Sequence, residues 1–301
     1  MVSSNKNTTL FWVFLTPILL IFVLVIVVPF FLGIFYSFTD WSASAMNQDG
    51  LVFKGVENYM SSFTDPRFLF SLMITALYTV MNMLVINVAA FSLALLVAEP
   101  LKLKGVYRAG FFIPNLIGGL ILGYVWQFVL KQAVPSLGLE FLGTPENNLL
   151  SNNITAIFGM VVVTTWQSAG YYMMIYLAAI QSIPTELKEA ASIDGAGKLR
   201  RLFKITIPMV APAFTITMFL TLVASFKIYD VNVSLTDGGP STMFMGEAIE
   251  GTQMMALNIY KTAFVFNQMA EAQARAVLFF VILAIISIVQ VIVNKKKEIE
   301  Q

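Results

Sequence analysis

Long uncharged apolar runs, separated by polar connections, dominate the chain. A helix needs about 20 consecutive apolar residues to cross a bilayer core about 30 Å thick, and it satisfies its own backbone hydrogen bonds there. The pattern therefore predicts an all-α membrane protein with six transmembrane helices. The predicted spans cover roughly residues 10–38, 68–98, 109–130, 154–180, 207–226 and 276–293.

The charged residues are distributed unevenly over the connections between these spans. When alternate connections are assigned to the same side, one side holds twelve bases against six acids (+6) and the other holds six bases against eleven acids (−5). The basic side of a membrane protein is the cytoplasmic one. We therefore expect a multi-pass protein of the cell membrane with both termini in the cytoplasm.

Composition excludes several classes of function. Hydrophobic residues make up 58% of the chain and charged residues 12%, about half the charged share of a soluble protein. The absence of Cys and His excludes disulfide frameworks, thiolate and histidine metal sites and Ser-His-Asp catalysis. A formal charge of +1 argues against a nucleic-acid partner. We expect no catalytic residue, no metal site and no cofactor bound by this chain.

The connection at residues 181–206 is long enough to fold. Its sequence predicts two short helices separated by a Gly-rich break, with Thr185 as the N-cap of the first. The second piece is basic and amphipathic, as in helices that lie on phospholipid head groups. Two interpretations stay open from the residues alone. The connection is either a basic connector at the membrane surface or a protein dock, in which Ala190 and Ala191 allow close approach and Glu189 pairs with a basic group.

The same connection contains, in order, Glu189-Ala190-Ala191, Asp194-Gly195-Ala196, Phe203, Ile205 and Pro208. This series resembles the EAA loop in the membrane subunits of binding-protein-dependent ABC importers. The resemblance implies the type I permease fold of these importers. It also implies that 181–206 is a cytoplasmic coupling loop that contacts a separate ATPase through Glu189, Ala190, Ala191, Asp194 and Gly195.

Three further stretches narrow the resemblance: Phe53–Tyr59, Leu235–Pro240 and Tyr260–Phe264. They are similar to segments of the family's sugar permeases, in the same order, and point to the first of the two paired permeases in oligosaccharide and glycerol-phosphate importers. Where the family often has Gly before the last span, this chain has Met269-Ala270-Glu271, so no role is assigned to that helix start. The resemblance implies as partners a second homologous permease, two ATPase subunits, an external sugar-binding protein, the sugar itself and membrane lipid.

The chain lacks a phosphate-binding loop of its own. Gly197-Lys198 is the nearest match to Gly-x-x-x-x-Gly-Lys-Ser/Thr, but Ser192 stands where the first Gly is needed and Leu199 follows the Lys. ATP and Mg are therefore expected to be used by the partner ATPase subunits.

Polar side chains inside a span are costly unless they face a cavity or another helix. The fourth predicted span carries a group of them, and these are candidates for a substrate path: Thr164, Gln167, Ser168, Tyr171 and Tyr172. All but Gln167 share one helical face by their spacing. Amides and hydroxyls pair with sugar hydroxyls, and aromatic rings stack on sugar C–H surfaces. The residues alone leave open that they are interfacial aromatics and polar contacts between helices. The resemblance implies sugar contacts at Thr164, Ser168 and Tyr171.

The end of the fifth predicted span is the second candidate region. The resemblance implies sugar contacts there, beginning at Ser225. Lys227 and Asp230 lie three residues apart. Three interpretations stay open for them: they pair with each other, with a polar substrate or with water. Five more polar residues either line the same path or join neighbouring helices: Asn82, Asn87, Asn115, Tyr124 and Gln127.

These observations predict the transmembrane subunit of an ATP-driven importer for a sugar, most simply an oligosaccharide. One alternative is a glycerol-phosphate importer, although a phosphate ester favours several cationic groups and only Lys227 is available in the path. The other is an ion-coupled secondary carrier, which needs carboxylates in the span cores; the six predicted cores contain none.

Overall fold

The computed structural model describes residues 3–42, 50–100, 102–136, 144 and 147–295. These residues are mostly helical and divide into two compact units. The first unit comprises Met1–Asp65 and Ile259–Phe280, and the second comprises Pro66–Asn258 and Val281–Gln301.

The first unit begins with a long apolar helix, which consists of α1 Ser3–Phe22, a π-helical segment Val23–Val27 and α2 Val28–Tyr36. A short polar helix follows, α3 Glu57–Thr64. Leu10–Tyr36 forms one helix of 27 residues whose apolar side chains lie almost entirely on the surface of the unit. Such a surface suits a helix that is surrounded by lipid. A bridge between Thr39 and Phe53 closes the loop that follows.

The rest of the chain contains twelve further α-helices and two strands within the described ranges. Their bounds are α4 Pro66–Ala98, α5 Lys104–Phe112, a 3₁₀ turn Ile113–Leu116, α6 Gly119–Phe128, a π-helical segment Val129–Ala133, α7 Val134–Ser136, α8 Asn153–Gln181, α9 Thr185–Ile193, α10 Lys198–Arg201, a π-helical segment Leu202–Thr206, α11 Ile207–Met209, α12 Ala211–Phe226, α13 Asp230–Leu235, β1 Ser241–Phe244, β2 Glu247–Glu250, α14 Met255–Phe264 and α15 Met269–Lys295.

The two strands were not expected from the sequence. They pair antiparallel, with Ser241 opposite Glu250, and the chain reverses through Met245 and Gly246 at positive φ. The preceding helix α13 stops at Leu235, shortly before Gly238, Gly239 and Pro240, residues that form turns and interrupt helices. A purely α-helical description is therefore incomplete, since a β-hairpin fills part of this connection.

Among the described residues, three helices are long and apolar enough to cross a membrane: Leu10–Tyr36, Pro66–Ala98 and Met269–Lys295. The count rises to five if each of two bent helix pairs is one span. The fourth predicted segment forms the single 29-residue helix α8, which contains no charged residue but is too polar to enter that count. Six spans and the cytoplasmic position of the termini remain predictions.

Two predicted spans are broken where the sequence carries helix-breaking residues. The third bends by 96° between Leu116 and Gly119, where Pro114 lacks the N–H that continues the backbone ladder and two glycines follow. The fifth bends by 68° before α12, whose second residue is Pro212. The spans predicted over 109–130 and 207–226 therefore each contain a bend within the described structure.

The second unit is organised around α4, which packs along α8 and α12. Buried apolar side chains form two clusters, one containing Ile74, Ile157 and Met160 and the other containing Ala90 and Met173. Polar side chains interrupt this core in the middle of α4 and α8, and a cavity opens there.

Candidate functional site

A cavity of about 330 Å³ lies in the second unit, where α4, α8 and α12 meet the first residues of α6 and α13. Seven of the eight residues predicted for the substrate path line it: Thr164, Gln167, Ser168, Tyr172, Ser225, Lys227 and Asp230. They come from two regions far apart in sequence, α8 and the junction between α12 and α13, so the fold brings the two predicted regions together into one site.

Two helix breaks give the cavity its shape. The helical path stops at Leu116, and α6 restarts at Gly119, which lines the cavity. Gln167 stabilises this break, because its Nε2 donates to the carbonyl oxygen of Ile117 at 2.9 Å. The second break separates α12 from α13 at residues 227–229. Irregular backbone at membrane depth is tolerated where it lines a cavity; residues 227–229 line this one, and the first break ends at it with Gly119.

A chain of hydrogen bonds joins the helices behind the cavity wall. The Tyr78 hydroxyl donates to Thr164 Oγ1 at 3.1 Å, and Thr164 Oγ1 lies 2.9 Å from Asn82 Oδ1. Asn82 Nδ2 donates to Ser225 Oγ at 2.9 Å. The chain connects α4, α8 and α12 and holds Thr164 and Ser225 in place. These two predicted contact residues thus have a structural role in addition to facing the cavity.

The two charged lining residues do not pair with each other. Lys227 and Asp230 are both exposed, and neither side chain makes a salt bridge or hydrogen bond with the described residues. Their suggested i,i+3 ion pair is therefore absent from the described structure. One positive and one negative group remain available to a polar molecule or to water.

Tyr171 stands apart from the other predicted path residues. It is 40% exposed and does not line the cavity, although its ring contacts that of Tyr172 edge-on at 5.1 Å. The aromatic groups on the cavity wall are Tyr78, Tyr172 and Tyr229.

Four of the five additional polar candidates lie outside the lining, and Asn82 alone among them lines the cavity. Asn87 donates to Thr221 Oγ1 at 3.0 Å and accepts from the Tyr176 hydroxyl at 2.7 Å, which makes it a contact between helices. Gln127 donates to the Leu235 carbonyl and ties α6 to α13. Tyr124 is 60% exposed, and Asn115 lies in the 3₁₀ turn.

The predicted coupling loop folds as two helical pieces. The break between α9 and α10 contains Gly195 at φ +70°, a conformation that favours glycine. Asp194 caps α9 through its backbone N–H, which donates to the Ala190 carbonyl. The expected N-cap was wrong by one residue, because Thr185 is already helical and Pro184 precedes it without a side-chain cap.

Four of the five residues assigned to coupling are exposed, either on α9 or in the break that follows it: Glu189, Ala190, Asp194 and Gly195. Glu189 and Ala190 are exposed and Ile193 is 87% exposed, whereas Ala191 is buried against the rest of the unit. An exposed apolar residue beside a carboxylate, on a short helix that the unit supports, is suited to contact another protein.

Sequence reasoning missed an ion cluster in the first unit. Arg275 is 2% exposed, and its guanidinium contacts the carboxylates of Asp65 and Glu271 as well as Thr262 Oγ1. The i,i+4 spacing of Glu271 and Arg275 was a usable signal. Asp65 is 210 residues away along the chain, so its part in the cluster could not be anticipated.

Comparisons with known proteins agree with this architecture. Residues 90–299 match the family model described as "Binding-protein-dependent transport system inner membrane component". The chain is 42% identical over 299 residues to the probable starch degradation products transport system permease protein AmyD of Thermoanaerobacterium thermosulfurigenes, covering 98% of this chain and 97% of that one. It is 31% identical to the multiple sugar-binding transport system permease protein MsmF of Streptococcus mutans, covering 96% of each.

A solved structure supports the fold. A chain from the crystal structure of a bacterial ABC transporter involved in the import of alginate superposes with a TM-score of 0.79 at 18% identity, over 97% of this chain and 96% of that one. The family model covers more than half of the residues. The chain therefore belongs to the family of inner membrane components of binding-protein-dependent transport systems.

Proposed function

We propose that this chain is the membrane-spanning subunit of an ATP-driven importer that carries an oligosaccharide across the cell membrane. The cavity between α4, α8, α12 and α13 is the observation that carries the proposal. It presents hydroxyl, amide and aromatic groups together, and its volume of about 330 Å³ falls within the range of about 300–1,000 Å³ usual for small-molecule sites. The names of the two sugar-permease relatives support the same substrate class.

The charges in the cavity favour a neutral sugar over a phosphate ester. Lys227 is the single cation in the lining, and Asp230 offsets it. Phosphate is usually held by several donors or cations, and one Lys beside a carboxylate is a poor match. Starch-derived oligosaccharides are therefore the first substrates to test.

Energy is supplied by partner subunits in this proposal. We infer that two ATPase subunits use ATP and Mg, that a second permease completes the path, and that an external binding protein delivers the sugar. The loop 181–206 is joined directly to α8 and, through α10 and α11, to α12. Since both helices line the cavity, a movement of α9 would shift two of its walls, as required for alternating access.

The sugar path is tested by obstructing the cavity. Ser168→Trp places an indole in the lining, whereas Phe158→Trp adds a similar ring to the exposed face of the same helix, where Phe158 is 52% exposed. We expect uptake of labelled oligosaccharide to fall at least about tenfold in Ser168→Trp and to stay near wild type in Phe158→Trp. Equal uptake by both variants at equal amounts of assembled complex would show that the sugar passes elsewhere.

The coupling claim needs two readouts in the same vesicles. We expect the double variant Glu189→Ala, Gly195→Ala to lose uptake while the partner ATPases still hydrolyse ATP, because the contact that transmits their movement is removed. Glu57→Gln, an exposed carboxylate in the first unit, is the control. Normal uptake in the double variant would contradict coupling through this loop, and uptake in vesicles without any ATPase would favour an ion-coupled carrier.

A further inference from the structure

A second cavity, larger than the first, lies at the far ends of α4 and α8. Its volume is about 530 Å³, and α10 forms its third wall. This end of the unit is the side that the charge distribution predicts to be cytoplasmic. The cavity is separate from the proposed sugar path, because the two share no lining residue.

Three charged side chains line this cavity without pairing. Lys198 and Arg201 lie one turn apart on α10, and Glu99 follows the last residue of α4. None of the three side chains makes a salt bridge or hydrogen bond with the described residues. Glu99 and Lys198 are exposed and Arg201 is half-buried, so all three charges are accessible to a ligand of matching charge. The arrangement matches a ligand with a negative group beside a positive one.

The remaining walls are apolar. Leu95, Leu199 and Leu202 line the cavity, and Leu199 is also 72% exposed. Phe203, on the same segment, is 62% exposed. Apolar side chains beside cationic ones at a membrane boundary suit a ligand with a charged head and an apolar tail. A free phosphate ion would leave the leucine surface in contact with water.

We propose that this cavity binds the head group of an amine-bearing phospholipid of the cytoplasmic leaflet. Lys198 and Arg201 hold its phosphodiester, Glu99 holds its ammonium group, and the leucine wall contacts the first part of its acyl chains. The bound lipid would fix α10 against α4 and α8, immediately after the break that ends α9. The proposal rests on the predicted orientation and does not depend on which sugar is transported.

The test measures lipid retention by the full-length chain purified in detergent, using native mass spectrometry. Phosphatidylethanolamine is added to the wild type, to Lys198→Gln with Arg201→Gln, and to the matched control Arg200→Gln with Lys204→Gln. The control removes the same charge from the same segment outside the cavity. We expect apparent affinity to fall on the order of tenfold to thirtyfold in the cavity variant and less than about twofold in the control. An equal loss of affinity in the cavity variant and the control would show that lipid is attracted by the overall charge of the segment, and this would overturn the proposal.

Glu99→Gln provides an independent readout that leaves both cations in place. The wild type should prefer phosphatidylethanolamine over phosphatidylglycerol, which lacks the amine, and the variant should lose this preference. An unchanged preference would remove Glu99 from the site and refute the amine-bearing head group. Inorganic phosphate serves as the competitor: if millimolar phosphate displaces the lipid, the cavity is a phosphate site and the lipid proposal is wrong.

Discussion

The Arg275 cluster provides a sharp test of the energetics of the first unit. Replacing Arg275 by Met removes the cation that contacts the carboxylates of both Asp65 and Glu271. Breaking a buried ion pair by removing one partner costs about 3–5 kcal/mol. The two carboxylate side chains are 25% and 18% exposed, so water compensates part of the loss. We expect Arg275→Met to lower the free energy of unfolding by about 3 kcal/mol.

The assay is a denaturant titration of the purified chain in mild detergent, followed by tryptophan fluorescence. The control is Glu57→Gln, which breaks the exposed Lys54–Glu57 pair at 3.4 Å, whose side chains are 42% and 67% exposed. Exposed pairs contribute about 0–1 kcal/mol. The control should therefore shift stability by less than about 1 kcal/mol.

A triple variant separates the loss of the pair from the cost of the charges it leaves behind. Combining Arg275→Met with Asp65→Asn and Glu271→Gln removes the two carboxylate charges together with the cation. Replacing a whole buried ion group by uncharged residues often changes stability little. We expect the triple variant to recover at least half of the loss. If Arg275→Met costs no more than Glu57→Gln, or if the triple variant is no better than the single one, the assignment of the cluster as a buried electrostatic contact is refuted.

Two more predictions concern packing and polar contacts in the second unit. Gly123→Ala should destabilise the chain by about 1–3 kcal/mol, because the new Cβ would lie 2.8 Å from Ser234 Cβ. The control is Gly110→Ala, whose new Cβ has nothing within 4 Å and should have little effect in the same unfolding assay. Asn87→Leu should cost about 1–3 kcal/mol, since the buried Tyr176 hydroxyl loses its acceptor and the Thr221 hydroxyl loses a donor, and uptake per assembled complex should stay normal. Asn82→Leu should lower uptake as well as stability, because Asn82 also lines the cavity; equal uptake by the two Asn variants would contradict this distinction.

The apolar pattern predicted where helices lie better than where they break. The continuous helices α4 and α8 cover the predicted segments 68–98 and 154–180 closely, because their apolar residues run without proline. The third and fifth segments have equally apolar composition, and Pro114 and Pro212 break them. The average hydrophobicity of a segment does not register a single proline, whereas each hydrogen bond of a helix backbone needs its own N–H, which proline lacks. The hairpin at Ser241–Glu250 was missed because two four-residue strands give little periodic signal.

The types of residue that form the site could be predicted from the sequence. Seven of eight predicted path residues line one cavity, because polar groups in apolar helices must face a cavity or another helix. Sequence spacing could not tell which of them also join helices, as Thr164 and Ser225 do through Asn82. It also could not show that Lys227 and Asp230 remain unpaired, since an i,i+3 spacing permits a pair without requiring one. Tyr171 lies between the lining residues Ser168 and Tyr172 yet is itself exposed and outside the lining, which its predicted place on their helical face did not reveal.

The most direct test of ATP-driven sugar import measures oligosaccharide uptake and ATP hydrolysis together, in vesicles that contain this chain, its partner permease, the ATPase subunits and the loaded binding protein. We predict uptake that requires ATP and the binding protein in the wild type, and uptake lost in Ser168→Trp although the complex assembles. Uptake that continues without ATP, or that is unchanged in Ser168→Trp, would contradict an ATP-driven sugar path through this cavity.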